Sequence, residues 1–501
     1  MRKITAIIVL ATILILFIAA CAADETTKTP NETNGLKSDG AKSDDITTAA
    51  FQEYKSPNVN YNGAVINIGA MDHITRGIAI TWDVMKYCEA YAPEQNGDPV
   101  NDALYLRNQQ VEEELGVKIN VYPLEQRSSC GTELQKLIMA SEDVIDIAYM
   151  NGNNMSMFMG TGLVIDLYKI PNVDFSHSWW DQHSVKEFEL FGTLPTVTGD
   201  ISLYSGFSPV IYLFNKTMVN DYNLGNLYDL VRKDEWIISK AFEMCRTVAH
   251  DVNGDGKMDV EDCYGLLTET GGLGNMVISG GVRLTKKDSE GVPQIMVTGQ
   301  RTIDLIEMCV PFINDKETNI LASNFSARFP QAFRDFLLPT FADDRALFFN
   351  NQLLVAVELR SMDADFGILP PPKYDTAQDN YYCPTSSSWC TYILVPATNS
   401  KFEMTGHVLE AMGYYSQQEI TPAYIDTTVM NKALRDDDSA EMLKLIFANY
   451  YYDLGMIYDW GTMYTMFSAM AANKNVNYAS EFARIETRIQ TEIDKTVETL
   501  R

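Results

Sequence analysis

The chain has 501 residues, more than one compact core supports, so two or more packed lobes are expected. Apolar residues make up 46%, enough to fill such cores, while the formal net charge is −28. Acidity on that scale disfavours nucleic acid and anionic lipid surfaces as partners.

Arg2 and Lys3 supply positive charge, and Ile4 to Ala20 is apolar apart from Thr5 and Thr12. Ile18-Ala19-Ala20-Cys21 follows, then polar sequence, which is the order of parts in a signal peptide. Small residues at 19 and 20 fit a peptidase cleft, and the cysteine offers a thiol for lipid transfer. Residues 1–21 therefore read as a lipoprotein signal resembling the bacterial lipobox, with Cys21 at the lipidated position. The remainder is then held at the extracellular face of the cell membrane by a lipid anchor alone. An uncleaved anchor is the alternative, although the apolar run sits at the short edge of a span. Residues 22–60 are rich in Thr, Asn, Lys, Ser, Asp and Gly and bury too little to offset their ordering entropy, so they read as a flexible tether.

A short apolar strand starts the folded part at Ala64 to Ile68. Asn101 or Asp102 is placed to cap a helix through Leu104, Val111 and Leu115, and Gly116 falls where a terminating glycine belongs. Val117, Ile119 and Val121 alternate as a strand does. A second helix around Leu134, Leu137 and Ile138 leads to a strand at Val144 to Met150. Strand, helix, strand, helix, strand implies a parallel sheet, whose ligands lie beyond the carboxyl ends of its strands. That points to the loops after Ile68 and Tyr149. A second α/β region opens at Ile211 to Asn215, with helices at Ser239 to Ala249 and around Ile303, Ile306 and Val310. Further strands are expected at Ala346 to Phe349, at Asp365 to Leu369 (stopped by Pro370, Pro371 and Pro372) and at Thr391 to Val395. Helices follow around Val408 to Tyr415 and Met442 to Ala448. A last amphipathic helix carries Phe482, Ile485, Ile489, Ile493 and Val497 on one core-facing stripe.

With Cys21 lipidated, seven cysteines remain, an odd number that leaves at least one free thiol. Cys245 with Cys263, or Cys383 with Cys390, are the pairs open to consideration. The sharpest motif is residues 251–262. Asp251, Asn253, Asp255, Asp259 and Asp262 place side-chain oxygens at loop positions 1, 3, 5, 9 and 12, Gly256 sits at position 6, and Lys257 offers its carbonyl at position 7. Calcium takes six to eight oxygens, and a 12-residue loop of this spacing supplies them. A single loop of this kind reads as a structural ion stapling the second region rather than as a sensor.

These residues together resemble the extracellular solute-binding proteins of family 1, the sugar-binding lipoproteins of ABC importers. Gln110 to Val121, Ser141 to Tyr149, Phe214-Asn215-Lys216, Trp236 to Leu266, Asp365 to Lys373 (followed by Gln378 and Tyr381), and Arg435-Asp436 with Met442 to Asp453 resemble family motifs in order, over most of residues 60 to 460. Ile237 stands where the family pattern has threonine after tryptophan, which touches only the local helix cap. The resemblance implies an α/β chain with a two-lobed periplasmic-binding-protein-like fold of type II and a hinge between lobes. The first lobe would comprise 61–210 and 392–450, the second 211–391 and 451–501. It also implies capture of a solute, a carbohydrate above all, in the interlobe cleft by a monomer, and delivery to ABC permease subunits.

Sugars present apolar C–H faces and hydroxyls, so a site for them needs aromatic platforms beside amides or carboxylates. Candidates at lobe edges are Asp72, His73 and Trp82 after the first strand, Asn151, Asn153 and Asn154 after Tyr149, and Tyr204 and Phe207 near the first crossover. Trp389 lies near the second crossover, and Asp459 and Trp460 near the C-terminus. No catalytic motif for hydrolysis or phosphoryl transfer appears. The competing readings are a surface glycosidase, which needs two carboxylates across a cleft, and a glycan-binding lipoprotein without a transporter.

Overall fold

The computed structural model describes residues 54–80, 82–125, 128–359, 365–424 and 436–501. The expected signal at 1–21, Cys21 and the tether to residue 53 lie outside the described residues. From Tyr54 onward the chain is already packed. The Tyr54 ring stacks on Tyr414 at 4.3 Å and its hydroxyl donates to Glu114 Oε1 at 3.0 Å. Tyr61 meets His407 Nδ1 at 2.7 Å. The tether expected to reach residue 60 therefore gives way to packed chain earlier, because Tyr54, Val59 and Tyr61 have apolar surface to bury.

Two sheets form the frame. The first comprises β1 (Ala64–Met71), β2 (Val117–Leu124), β3 (Ile147–Asn151) and, much later in the chain, the strand Thr391–Leu394. β1 runs parallel to β2, with Ala64 opposite Val117, and parallel to β3, with Ile68 opposite Ile147. The late strand pairs antiparallel with β3, Thr391 facing Asn151. The second sheet holds β4 (Val210–Asn215), β5 (Tyr264–Thr268) and, beyond the hairpin of β6 (Thr285–Lys287) and β7 (Pro293–Ile295), β8 (Asn319–Leu321), β9 (Ala346–Gln352) and β10 (Phe366–Leu369). Its order is β10-β4-β9-β5-β8, with β4 antiparallel to both neighbours and β5 parallel to β8 and β9. Every residue of β4, β5 and β9 is buried, as expected of near-continuous apolar strands covered on both faces.

Among the described residues three segments run between the sheets. The first passage is the short helix Leu203–Phe207 before β4. The second runs through β11 (Cys383–Pro384) into β12 (Thr391–Leu394). The third is β13 (Tyr450–Tyr451), which follows the helices Phe402–Pro422 and Asp437–Ala448 in the chain. β11 and β13 pair in parallel, Cys383 opposite Tyr450, and so tie the second passage to the third.

Helix limits follow local chemistry. The helix Pro99–Leu115 is capped by Asp98, whose carboxylate accepts from Val100 and Asn101 N–H, and not by Asn101 or Asp102. Pro99 takes the first helical position, where its missing N–H costs nothing. Asp102 instead accepts from Asn96 and Gly97 N–H. Gly116 ends the helix in the left-handed region at φ 62°. The helix Asp437–Ala448 was expected with the first lobe but packs on β10 of the second sheet. The Ser439 hydroxyl accepts from Ile368 N–H at 3.2 Å and lies 2.7 Å from the Tyr228 hydroxyl, which fixes it there. The terminal helix Tyr478–Leu500 buries Phe482, Ile485, Ile489 and Ile493 as its stripe predicted. It lies so close to Gly461 that a Cβ there would stand 2.8 Å from Ile489 N. Cys245, Cys263, Cys383 and Cys390 form no disulfide, so neither pair open to consideration is bonded. Among the described residues no helix is long and apolar enough to cross a membrane.

Candidate functional site

A cleft of about 640 Å³ opens where the carboxyl ends of strands from both sheets meet the passages between them. Trp82 enters from the loop that follows β1, and Asn153 from the turn after β3. β9 ends in Asn350, Asn351 and Gln352, three buried amides at the tail of an apolar strand. β5 ends at Thr268, and Glu269 and Thr270 follow it into the same space. Ser386 to Trp389 come from the second passage, and Asp459 and Tyr464 from beyond the third.

The apolar part of the cleft is an aromatic cluster. Trp82 stacks on Phe333 with centroids 4.0 Å apart at 18°, and Trp389 meets Trp82 edge-on at 5.1 Å. Trp82 belongs to the first region and Phe333 to the second, so the stack joins them. Asp83 N–H donates to Glu358 Oε1 at 2.8 Å beside it. The polar part is mostly amide and hydroxyl. Asn153 Nδ2 donates to Ser388 Oγ at 3.0 Å, and Asn351 Nδ2 to Glu269 Oε2 at 3.1 Å. Close backbone approach also shapes it: a Cβ on Gly152 would stand 2.7 Å from Ser387 O.

The two carboxylates differ in kind. Asp459, at φ 43°, accepts from Tyr464 N–H (2.8 Å), Thr465 N–H (3.1 Å) and the Thr465 hydroxyl (2.5 Å). It is a structural cap whose second role is to border the cleft. Desolvation raises its carboxyl above the ordinary range, and these donors pull the other way. Glu269 is also raised by desolvation, with only the Asn351 amide opposing it. Tyr464 is pushed up to about 12, first by desolvation and then by Asp459.

Of the residues singled out in the sequence, Trp82, Asn153, Trp389 and Asp459 line this cleft. The others lie elsewhere. Asp72 caps a turn, accepting from Thr75 N–H at 2.9 Å, and His73 is buried beneath it. Asn151 is fully buried and accepts from Asn154 Nδ2 at 2.8 Å, so this amide pair braces the end of β3 rather than facing a ligand. Tyr204 is buried with its hydroxyl donating to Tyr87 O at 2.9 Å, and its ring supports Trp389 edge-on at 5.7 Å. Phe207 packs on Tyr424 at 4.0 Å. Trp460 donates to Thr496 Oγ1 at 2.9 Å and belongs to the seat of the last helix. The sequence reading missed Glu269, Phe333 and the β9 amides. A run of amides directly after buried Phe348 and Phe349 was the available signal. A smaller cavity of about 250 Å³ lies against the first and third passages. Its carboxylates are already satisfied: Asp200 accepts from Thr421 and Gln417, and Asp181 from Ser184 N–H and Tyr452.

The loop 251–262 is ordered by its own side chains. Asp251 accepts from Gly254 and Gly256 N–H, Asn253 from Asp255 N–H, and Asp255 from Lys257 N–H. Asp259 accepts from Glu261 N–H, and Asp262 from Val252 and Asp259 N–H. Gly254 and Gly256 hold the left-handed conformations the turn needs, at φ 72° and 78°. The chemistry of the donor set fits calcium, yet among the described residues no three His, Cys, Asp or Glu side chains converge on a point suited to a metal ion.

No protein-family model matches the chain, and no curated protein matches it by sequence. Its fold is similar to that of many solved structures, substrate- and maltodextrin-binding proteins among them. An ABC substrate-binding protein from Listeria monocytogenes in complex with cycloalternan aligns at TM-score 0.53 and 11% identity, over 87% of this chain and 99% of that one. UgpB from Mycobacterium tuberculosis in complex with glycerophosphocholine aligns at 0.55 and 14%, over 79% and 95%. The maltose/maltodextrin-binding domain MalE from Bdellovibrio bacteriovorus bound to maltotriose aligns at 0.51 and 13%, over 87% and 98%. The α/β architecture is thus that of the two-lobed solute-binding proteins, as the sequence resemblance implied.

Proposed function

We propose that the chain is an extracellular substrate-binding lipoprotein, lipidated at Cys21, that captures an oligosaccharide in the interlobe cleft and hands it to the permease subunits of an ABC importer. The observation that carries this reading is the composition of the cleft. The part-exposed Trp82–Phe333 stack, backed by buried Trp389, offers apolar surface for a pyranose ring, amides and hydroxyls surround it, and no Lys, Arg or His stands among the described lining residues. Sugar-binding sites call for that combination. The solved relatives bound to cycloalternan and maltotriose support it. Ligand touching both regions favours the closed arrangement through contacts made only there.

Binding is favoured over glycoside hydrolysis by the state of the two carboxylates. Hydrolysis needs two acting on one bond, and both oxygens of Asp459 already accept protein donors. Calcium in the 251–262 loop would staple the second lobe away from this chemistry. Asp251, Asn253, Asp255, Asp259, Asp262 and the Lys257 carbonyl are the residues that would hold it.

The test is thermal unfolding of the purified full chain against a panel of mono- and oligosaccharides, with products assayed in parallel. A ligand at a hundred times its Kd adds about 2.7 kcal/mol to native-state stability. A rise in Tm with an oligosaccharide and no released product is the expected result. No shift with any saccharide, or steady release of shorter sugars, would overturn the reading.

A further inference from the structure

The charge inventory of the cleft leads further, to a specificity that rests on the saccharide reading above. Asp459 spends its oxygens on the protein. The carboxylate of Glu269, half-buried just past the end of β5, accepts one hydrogen bond, from Asn351 Nδ2 at 3.1 Å, and forms no ion pair among the described residues. A partly desolvated carboxylate without a cation is costly to hold, and the cost is recovered when a cation arrives. A neutral pyranose hydroxyl gives it one hydrogen bond. An ammonium gives a charge-assisted bond of roughly twice the strength. The part-exposed Trp82–Phe333 stack in the same cleft, with buried Trp389 behind it, favours a cation as well as a sugar face. An anionic ligand would meet Glu269 and, among the described lining residues, no basic side chain.

We infer that the ligand is an amine-bearing saccharide, its ammonium paired with Glu269 and its ring face against the Trp82 cluster, and that Glu269 sets this preference. The shared chemistry is an organic ammonium beside an apolar face, which an amino sugar or a small quaternary amine can present.

The experiment is calorimetric titration of the full chain with four probes: a glucosamine oligomer, its N-acetylated counterpart, a neutral glucose oligomer of equal length, and choline. Each is titrated into the wild type and into Glu269→Gln, which keeps an acceptor for Asn351. Melting curves verify that the variant is folded. The glucosamine oligomer should bind about tenfold tighter than either uncharged oligomer. Glu269→Gln should bring the glucosamine oligomer to within about twofold of the uncharged oligomers titrated into the same variant. Uncharged oligomers binding as tightly as the glucosamine oligomer would overturn the inference while leaving the saccharide reading standing. A preference unchanged in Glu269→Gln would overturn the role of Glu269. Choline binding with no saccharide binding would overturn the amino-sugar assignment and the saccharide reading together, as would binding of no probe at all.

Discussion

Trp82→Ala is the perturbation that bears most heavily on the cleft. The indole sits half-buried on the loop after β1, stacked on Phe333 at 4.0 Å and edge-on to Trp389 at 5.1 Å. A pyranose ring covering about 50 Å² of it contributes about 1.3 kcal/mol at 25 cal/mol per Å². The aromatic pair that holds it adds about 0.5–1.5 kcal/mol of preorganised contact. The sum, about 2–3 kcal/mol, corresponds to a loss of affinity of roughly thirty- to 150-fold. Because the ring is only half-buried, the cost to global stability should stay near 1–2 kcal/mol, about the common value for a point substitution. Calorimetry with the best saccharide from the thermal screen measures the first quantity, and urea unfolding the second. Trp82→Phe should recover most of the affinity. Affinity within about threefold of wild type for Trp82→Ala, with unfolding unchanged, would refute the placement of the sugar on this cluster.

Three further outcomes follow from the structure. Ile489 is fully buried against Gly461, so Ile489→Ala should cost about 2–5 kcal/mol in urea unfolding, and a cost under about 1 kcal/mol would show that the last helix is not part of the core. Buried Glu89 accepts from Tyr204 N–H and Ser202, yet desolvation pushes its carboxyl up to about 7. The folded state then binds more protons than the unfolded one between the ordinary glutamate range and pH 7, so this group's contribution to stability is full below pH 4.5 and is lost as pH rises through 7. Glu89→Gln should therefore flatten the fall in stability between pH 4.5 and 8, and an unchanged slope by urea titration would contradict the assignment. Calcium should raise Tm in the wild type and not in Asp251→Ala with Asp255→Ala, and equal shifts in both would place the ion elsewhere.

Much of the frame could be read in the chain because strands and caps are local. β4 and β9 open with apolar runs, Val210 to Phe214 and Ala346 to Phe349, Gly116 takes a left-handed conformation suited to ending its helix, and the last helix shows its stripe. The cap at Asp98 was hidden behind two later polar residues that looked as good. The site was only partly legible, since it is assembled from ends of strands far apart in sequence. Tyr204, Asn151 and Trp460 have the chemistry of sugar ligands, but their rings and amides are consumed in tertiary packing that no local pattern announces. Phe333 and Glu269 gave no local signal, and they enter the cleft only once β5, β9 and the Trp82 loop are brought together.

Calorimetric titration of the full chain with the oligosaccharide panel, with reducing ends assayed in the same samples, tests the central claim most directly. A saturable isotherm with one site per chain, abolished or weakened at least thirtyfold by Trp82→Ala and accompanied by no new reducing ends, is the predicted result. Absence of heat with every saccharide, or steady hydrolysis of any of them, would contradict capture in this cleft.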